Sequence, residues 1–174
     1  MSPERGGYRA EFENLIQQAK EITLRDGRHV PMLIVEGSRG LAIGQLEEMP
    51  DTHDERSDLM RALGRAAVMS GKVGRLKQVF FISEGWMSMA DNGTPPNLRP
   101  SQDPNRKEVL IVSGLELKGQ QKYLRIFEMI RNPAQDVVEL AELVPPHAQD
   151  GRIEVPLLEA FAQGFRLALQ AQAN

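Results

Sequence analysis

The chain has 174 residues, 41% of them hydrophobic and 26% charged, with a formal charge of −3 from 21 basic and 24 acidic side chains. That length suits one domain with its own core, and the near-balanced charge excludes the cationic excess by which non-specific nucleic-acid binders release counterions. There is no cysteine, which excludes disulfides, thiolate nucleophiles and Cys-ligated zinc.

The N-terminal MSPERGGYRAEF has no apolar h-region. No stretch reaches the roughly 20 apolar residues of a membrane span, so a cytoplasmic protein without a membrane segment is expected. Phe12, Leu15, Ile16, Ala19 and Ile22 recur at steps of three and four and predict a helix over 9–24, with residues 1–8 loosely ordered ahead of it. Asp26-Gly27 supplies a helix stop; a hairpin between ITLR and RHVP is the second reading. HVPMLIVEG follows as a strand, its start pushed toward a sheet edge by Pro31. GSRG then forms the loop of a hairpin into LAIGQLEEM.

Thr52 and Glu55 have capping-box spacing. They head a second helix marked by Leu59, Met60, Leu63, Ala66, Ala67 and Ser70 and ended by Gly71 and Gly74. RLKQVFFISEGWMSM reads as a strand, followed by a loop rich in Pro, Asn and Gly over residues 90–105. EVLIVSGLEL and KYLRIFEMI are two further strands joined by a hairpin-length turn. Beyond Asn132-Pro133, QDVVELAEL is a strand whose spacing also tolerates a helical turn. Pro156 opens the last helix, with Leu157, Leu158, Phe161, Phe165 and Leu169 along one face.

The order α-β-β-α-β-β-β-β-α, with short turns, predicts a single α+β domain over 1–174: a mainly antiparallel sheet of five to six strands carrying three helices. VFFI and VLIV have no polar face, so the middle of the sheet is expected to be covered on both sides.

A carboxylate interrupts the most apolar of these strands. Side chains alternate faces along a strand, so Glu84 shares a face with Phe80, Ile82 and Trp86. An acid there must be paired, protonated or at the sheet's end, because an unpaired charge in a dry interior costs several kcal/mol. Desolvation raises its pKa, as in tuned acids and bases. Two alternatives stand beside this reading: the strand leaves the core at Ser83, or a bulge at Gly85 shifts the register. Further on, Arg106 and Glu108 lie on one side of the next strand's start. Convergence of Glu84, Asp103, Arg106 and Glu108 would give oxygen ligands or an acid/base pair, with Arg106 as a bidentate anion clamp. A structural Arg106–Glu108 pair is the plainer reading.

His29, His53 and His147 are scattered and read as surface residues, not ligands. GSRG and GKVGR lack phosphate-loop spacing and read as turns. Trp86, Met87 and Met89, at the end of the interrupted strand, form a candidate contact surface.

With SEGWMSM followed by PSQDPNRKEVLIV, the chain resembles a group of uncharacterised prokaryotic proteins that carry a Glu-x-Trp strand and then a Ser-x-x-Pro-x-Arg-x-Glu start to the next strand. The matching positions are Glu84, Trp86, Ser101, Pro104, Arg106 and Glu108, with Gly27 and Pro31 as an upstream Gly-x-x-x-Pro element. The resemblance implies a shared fold and no particular chemistry.

The first functional expectation is therefore a binding domain without catalysis. Its partner is another protein or a second copy, contacted by the last helix and by Trp86, Met87 and Met89. The second is a metal-assisted hydrolase or acid/base enzyme using Glu84, Asp103 and Glu108 with Arg106. No cofactor or resident metal is expected, and a nucleic-acid role ranks last.

Overall fold

The computed structural model describes residues 3–88, 99–144 and 152–174. In chain order the elements are α1 (Pro3–Asp26), β1 (Met32–Gly37), β2 (Gly40–Gln45), α2 (His53–Met69), β3 (Leu76–Met87), β4 (Lys107–Glu116), β5 (Gln121–Arg131), β6 (Val137–Leu143) and α3 (Pro156–Ala173). A short 3-10 turn at Pro100–Gln102 precedes β4. The strands form one sheet in the order β2-β1-β3-β4-β5-β6, with every neighbouring pair antiparallel. This is the expected α+β architecture. QDVVELAEL settles as a strand, and Asp26-Gly27 as a helix stop, with Gly27 at φ 71 and its N–H donating to the Thr23 carbonyl (2.9 Å).

The helix α1 begins at Pro3, earlier than residue 9; Gly7, Arg9 and Ala10 are exposed and add nothing to the apolar stripe from which the helix was read. Its buried stripe is Phe12, Ile16, Ala19 and Thr23, at steps of four, three and four. That stripe packs on one face of the sheet against Ile34, Phe80, Ile82, Leu110, Phe127 and Met129. The opposite face, with Leu33, Val35, Val79, Phe81 and Leu115, lies under α2 and α3. Both faces of VFFI are covered, as its lack of a polar side requires.

The helix α2 starts at the capping box anticipated for Thr52 and Glu55. Its buried stripe runs Ser57, Met60, Gly64 and Val68, and α3 buries Leu158, Phe161, Gly164 and Phe165. The two helices touch backbone to backbone. A Cβ on Gly64 would sit 2.2 Å from the Phe161 carbonyl oxygen, and one on Gly164 would sit 2.1 Å from that of Arg61, so both positions admit only hydrogen. Leu169, assigned from its spacing to the buried face of the last helix, is 42% exposed.

The two glycine-rich turns meet at one corner. Ser38 N–H donates to the Arg75 carbonyl (2.9 Å), Arg39 N–H to that of Val73 (3.0 Å), and Arg75 N–H to Ser38 Oγ (2.8 Å). Amides that a phosphate loop would keep for its ligand here donate to the carbonyls of the facing turn and to the Ser38 hydroxyl.

Candidate functional site

The strand β3 pairs with β4 without a break from Gln78 opposite Glu116 to Met87 opposite Lys107. There is accordingly no bulge at Gly85, and Glu84 stays on the α1-covered face with Phe80 and Ile82. It sits where that face ends, half-buried, and accepts a short hydrogen bond from the backbone N–H of His29. Burial pushes the Glu84 carboxyl above its ordinary range; the His29 N–H works against this, the Glu108 charge adds to it, and Arg131 opposes it.

The guanidinium beside the two carboxylates is Arg131, from the end of β5. Its Nε and one terminal nitrogen each lie 2.7 Å from a Glu108 oxygen, a bidentate pair. It also donates to the carbonyls of Gly27 (3.1 Å) and Gln135 (2.7 Å). Of five guanidinium N–H donors, four are thus engaged, tying α1's C-terminus and the β5–β6 turn to β4. Arg131 shares parity with Met129 and Phe127, which is the signal that could have placed it on this face.

The proposed convergence of four residues is only partly realised. Glu84 and Glu108 come together. Arg106, expected to clamp an anion there, lies with its guanidinium 4.3 Å from the Trp86 ring centre, a cation–π contact. Asp103 is partly exposed and engaged within its own loop. The Ser88 hydroxyl first, and then the Asn105 backbone N–H (2.8 Å), hold its carboxyl below the ordinary range. The Ser88 contact falls outside regular hydrogen-bond geometry, so the Asn105 amide is the firmer of the two. Among the described residues, no three His, Asp or Glu side chains gather as a metal would need. Trp86 is 48% exposed and Met87 partly so; Met89 lies outside the described residues.

His29 is buried, contrary to its reading as a surface residue. Its Nδ1 lies 2.8 Å from the Val30 carbonyl, which can only accept. In the neutral ring this leaves Nε2 an acceptor, without a donor among the described residues.

Two other features were not singled out in the sequence. The strand β2 has β1 as its one neighbour, and Leu41 and Ile43 on it are 62% and 60% exposed. Leu46 N–H donates to the Pro31 carbonyl (2.9 Å). Main-chain groups alternate sides along an antiparallel strand, so Gly40, Ala42 and Gly44 turn theirs to β1, while Leu41, Ile43 and Gln45 turn theirs to the open edge. Beside this edge, between α1 and β1, lies a groove of about 500 Å³. A second cavity, of about 630 Å³, is lined by Arg9 and Lys118 and by two ion-paired cations, Arg125 with Glu13 and Glu142 and Lys122 with Glu159.

Compared with known families, residues 1–166 match the model of the family described as bacteriophage lambda protein ea47. The chain belongs to that family. The matched span contains Glu84, Trp86, Ser101, Pro104, Arg106 and Glu108. No match was found among curated proteins or solved structures. No helix among the described residues is long and apolar enough to cross a membrane.

Proposed function

We propose that this ea47-family protein is a binding domain without catalysis of its own, and that it binds a second copy of itself through β2. The observation that carries this reading is the open edge of the sheet. An unpaired row of N–H and C=O groups invites another strand, and edges that must stay single are blunted by Lys, Pro, inward charges or bulges. GLAIGQ has none of these.

The segment Gly40-Leu41-Ala42-Ile43-Gly44 also has nearly the same side-chain character read in either direction. A two-fold axis through Ala42 sets Leu41 opposite Ile43 of the second copy, and Gly40 opposite Gly44. Leu41 and Ile43 are the residues whose main-chain groups face outward, so each such pair exchanges both of its hydrogen bonds. Their side chains share one face and extend it across the axis, giving a self-complementary, isologous contact.

The alternative, an enzyme built on Glu84, Asp103, Glu108 and Arg106, has less behind it. Asp103 is engaged with its own loop, and Arg131 is spent on structural carbonyls and Glu108.

Sedimentation velocity over a range of protein concentrations tests the proposal. The wild-type chain should move from monomer to dimer, and Ile43→Lys should stay monomeric with an unchanged far-UV spectrum. A wild-type chain that remains a monomer at every concentration overturns the reading.

A further inference from the structure

At the groove between α1 and β1, Gln78 of β3 stands directly opposite Glu36 of β1. Its side chain is 1% exposed, and its Nε2 donates short hydrogen bonds to the carboxylates of both Glu36 and Glu11, the latter from α1 above. The other end of the amide, Oε1, is buried and has no donor among the described residues. Nor does any Lys or Arg among them form an ion pair with Glu11 or Glu36. Two carboxylates therefore share one neutral amide, beside a buried acceptor that lacks a donor. Leu15, Ile34 and Phe80 give the wall an apolar stretch, and Asn14 and Gln18 of α1 also line it.

We propose that this groove binds an aliphatic ammonium group. An ammonium brings three N–H donors and no acceptor, which matches two carboxylates and the Gln78 Oε1. Its methylene stem would lie along Leu15, Ile34 and Phe80, as lysine stems lie on apolar surface elsewhere. The volume is that of a small-ligand pocket. A bare divalent ion seeks a shell of about six to eight oxygens and leaves the apolar wall without a role. The same chemistry is offered by a free alkylamine or by a lysine side chain of a partner protein. Gly40 and Leu41 of β2 also line the groove, but the groups that would hold the ammonium, on Glu11, Glu36 and Gln78, lie outside β2.

The test is an NMR titration of the full ¹⁵N-labelled chain, following the Gln78 side-chain amide. The probes are n-pentylamine hydrochloride, the blocked peptide Ala-Lys-Ala and, separately, calcium chloride. A saturable shift with an ammonium probe is expected, weakened about tenfold in Glu11→Gln and in Glu36→Gln by loss of a charge-assisted hydrogen bond. Glu11 is exposed on a helix, so its variant keeps the fold. Tighter binding of the peptide assigns the site to a lysine side chain, and tighter binding of pentylamine to a free amine; either supports the proposal. No saturable shift with either ammonium probe, a shift with calcium alone, or binding unaltered in both variants overturns it.

Discussion

The face of the sheet beneath α1 carries a carboxylate pair at each end, Glu11 with Glu36 around Gln78, and Glu84 with Glu108 six residues further along β3. Both ends keep one buried acceptor without a donor, Gln78 Oε1 and His29 Nε2. They differ in the cation. Beyond β3, the chain supplies Arg131, which neutralises Glu108 and spends its other donors on the end of α1 and the β5–β6 turn. At the β1 side, the described residues supply an amide and no paired cation. A cluster whose charges meet a cation of the chain itself holds elements together. One that leaves two negative charges uncompensated beside an apolar wall has capacity for something from outside. The open end also adjoins β2, so the Glu11–Glu36 pair and the β2 edge lie on the same side, away from the end that the sequence marked.

This contrast can be broken first at its closed end. Arg131→Met leaves Glu84 and Glu108 without their cation and three carbonyl-or-carboxylate attachments unmade. It should lower stability in urea by about 3 kcal/mol, toward the lower limit for breaking a buried pair because this one is partly exposed. A loss below about 1 kcal/mol, the range of surface ion pairs, would remove the structural role given to this end.

A smaller effect follows from Glu84. Its carboxyl titrates above its ordinary value of 4.5, chiefly through burial, so the folded chain holds that proton more tightly than the unfolded chain. Stability from this group is therefore present at low pH and falls as pH rises from about 4.5 through the folded value, then levels off. Glu84→Gln keeps an acceptor for the His29 N–H and should cancel that fall. The difference between wild-type and variant melting temperatures should grow from acid to neutral pH in the variant's favour. A difference independent of pH would mean that burial does not govern this acid.

The smallest effect sharpens the open end. With no cation added, Glu11→Gln relieves repulsion between two carboxylates and should stabilise the fold by about half a kcal/mol, the scale of like-charge pairs on a helix surface. Destabilisation instead would mean that the Glu11 charge is already compensated.

Much of the fold was legible because periodicity reports it directly. The stripe of α1, the capping box of α2 and the alternation along β3 need no knowledge of distant neighbours, and Glu84's face followed from parity alone because no bulge intervened. What spacing could not give was register between strands. Arg131 meets Glu108 only because β5 lies beside β4, and Arg106 goes to Trp86. Strand order was hidden for the same reason: β2 reads like any short apolar strand until it is found at the edge with one neighbour. Gly64 and Gly164 gave no signal as core positions, since what they contribute is the absence of a side chain. His29 was misplaced because its neighbours Arg28 and Val30 are exposed while its own ring turns inward.

Amide hydrogen exchange at Leu41 and Ile43, measured at several protein concentrations, bears most directly on the claim that the protein binds through its open edge. Pairing of β2 with a second copy predicts that protection at these two amides rises with concentration, while Ala42 and Gly44, already turned to β1, change little. Equal and rapid exchange at Leu41 and Ile43 across the whole range would contradict it.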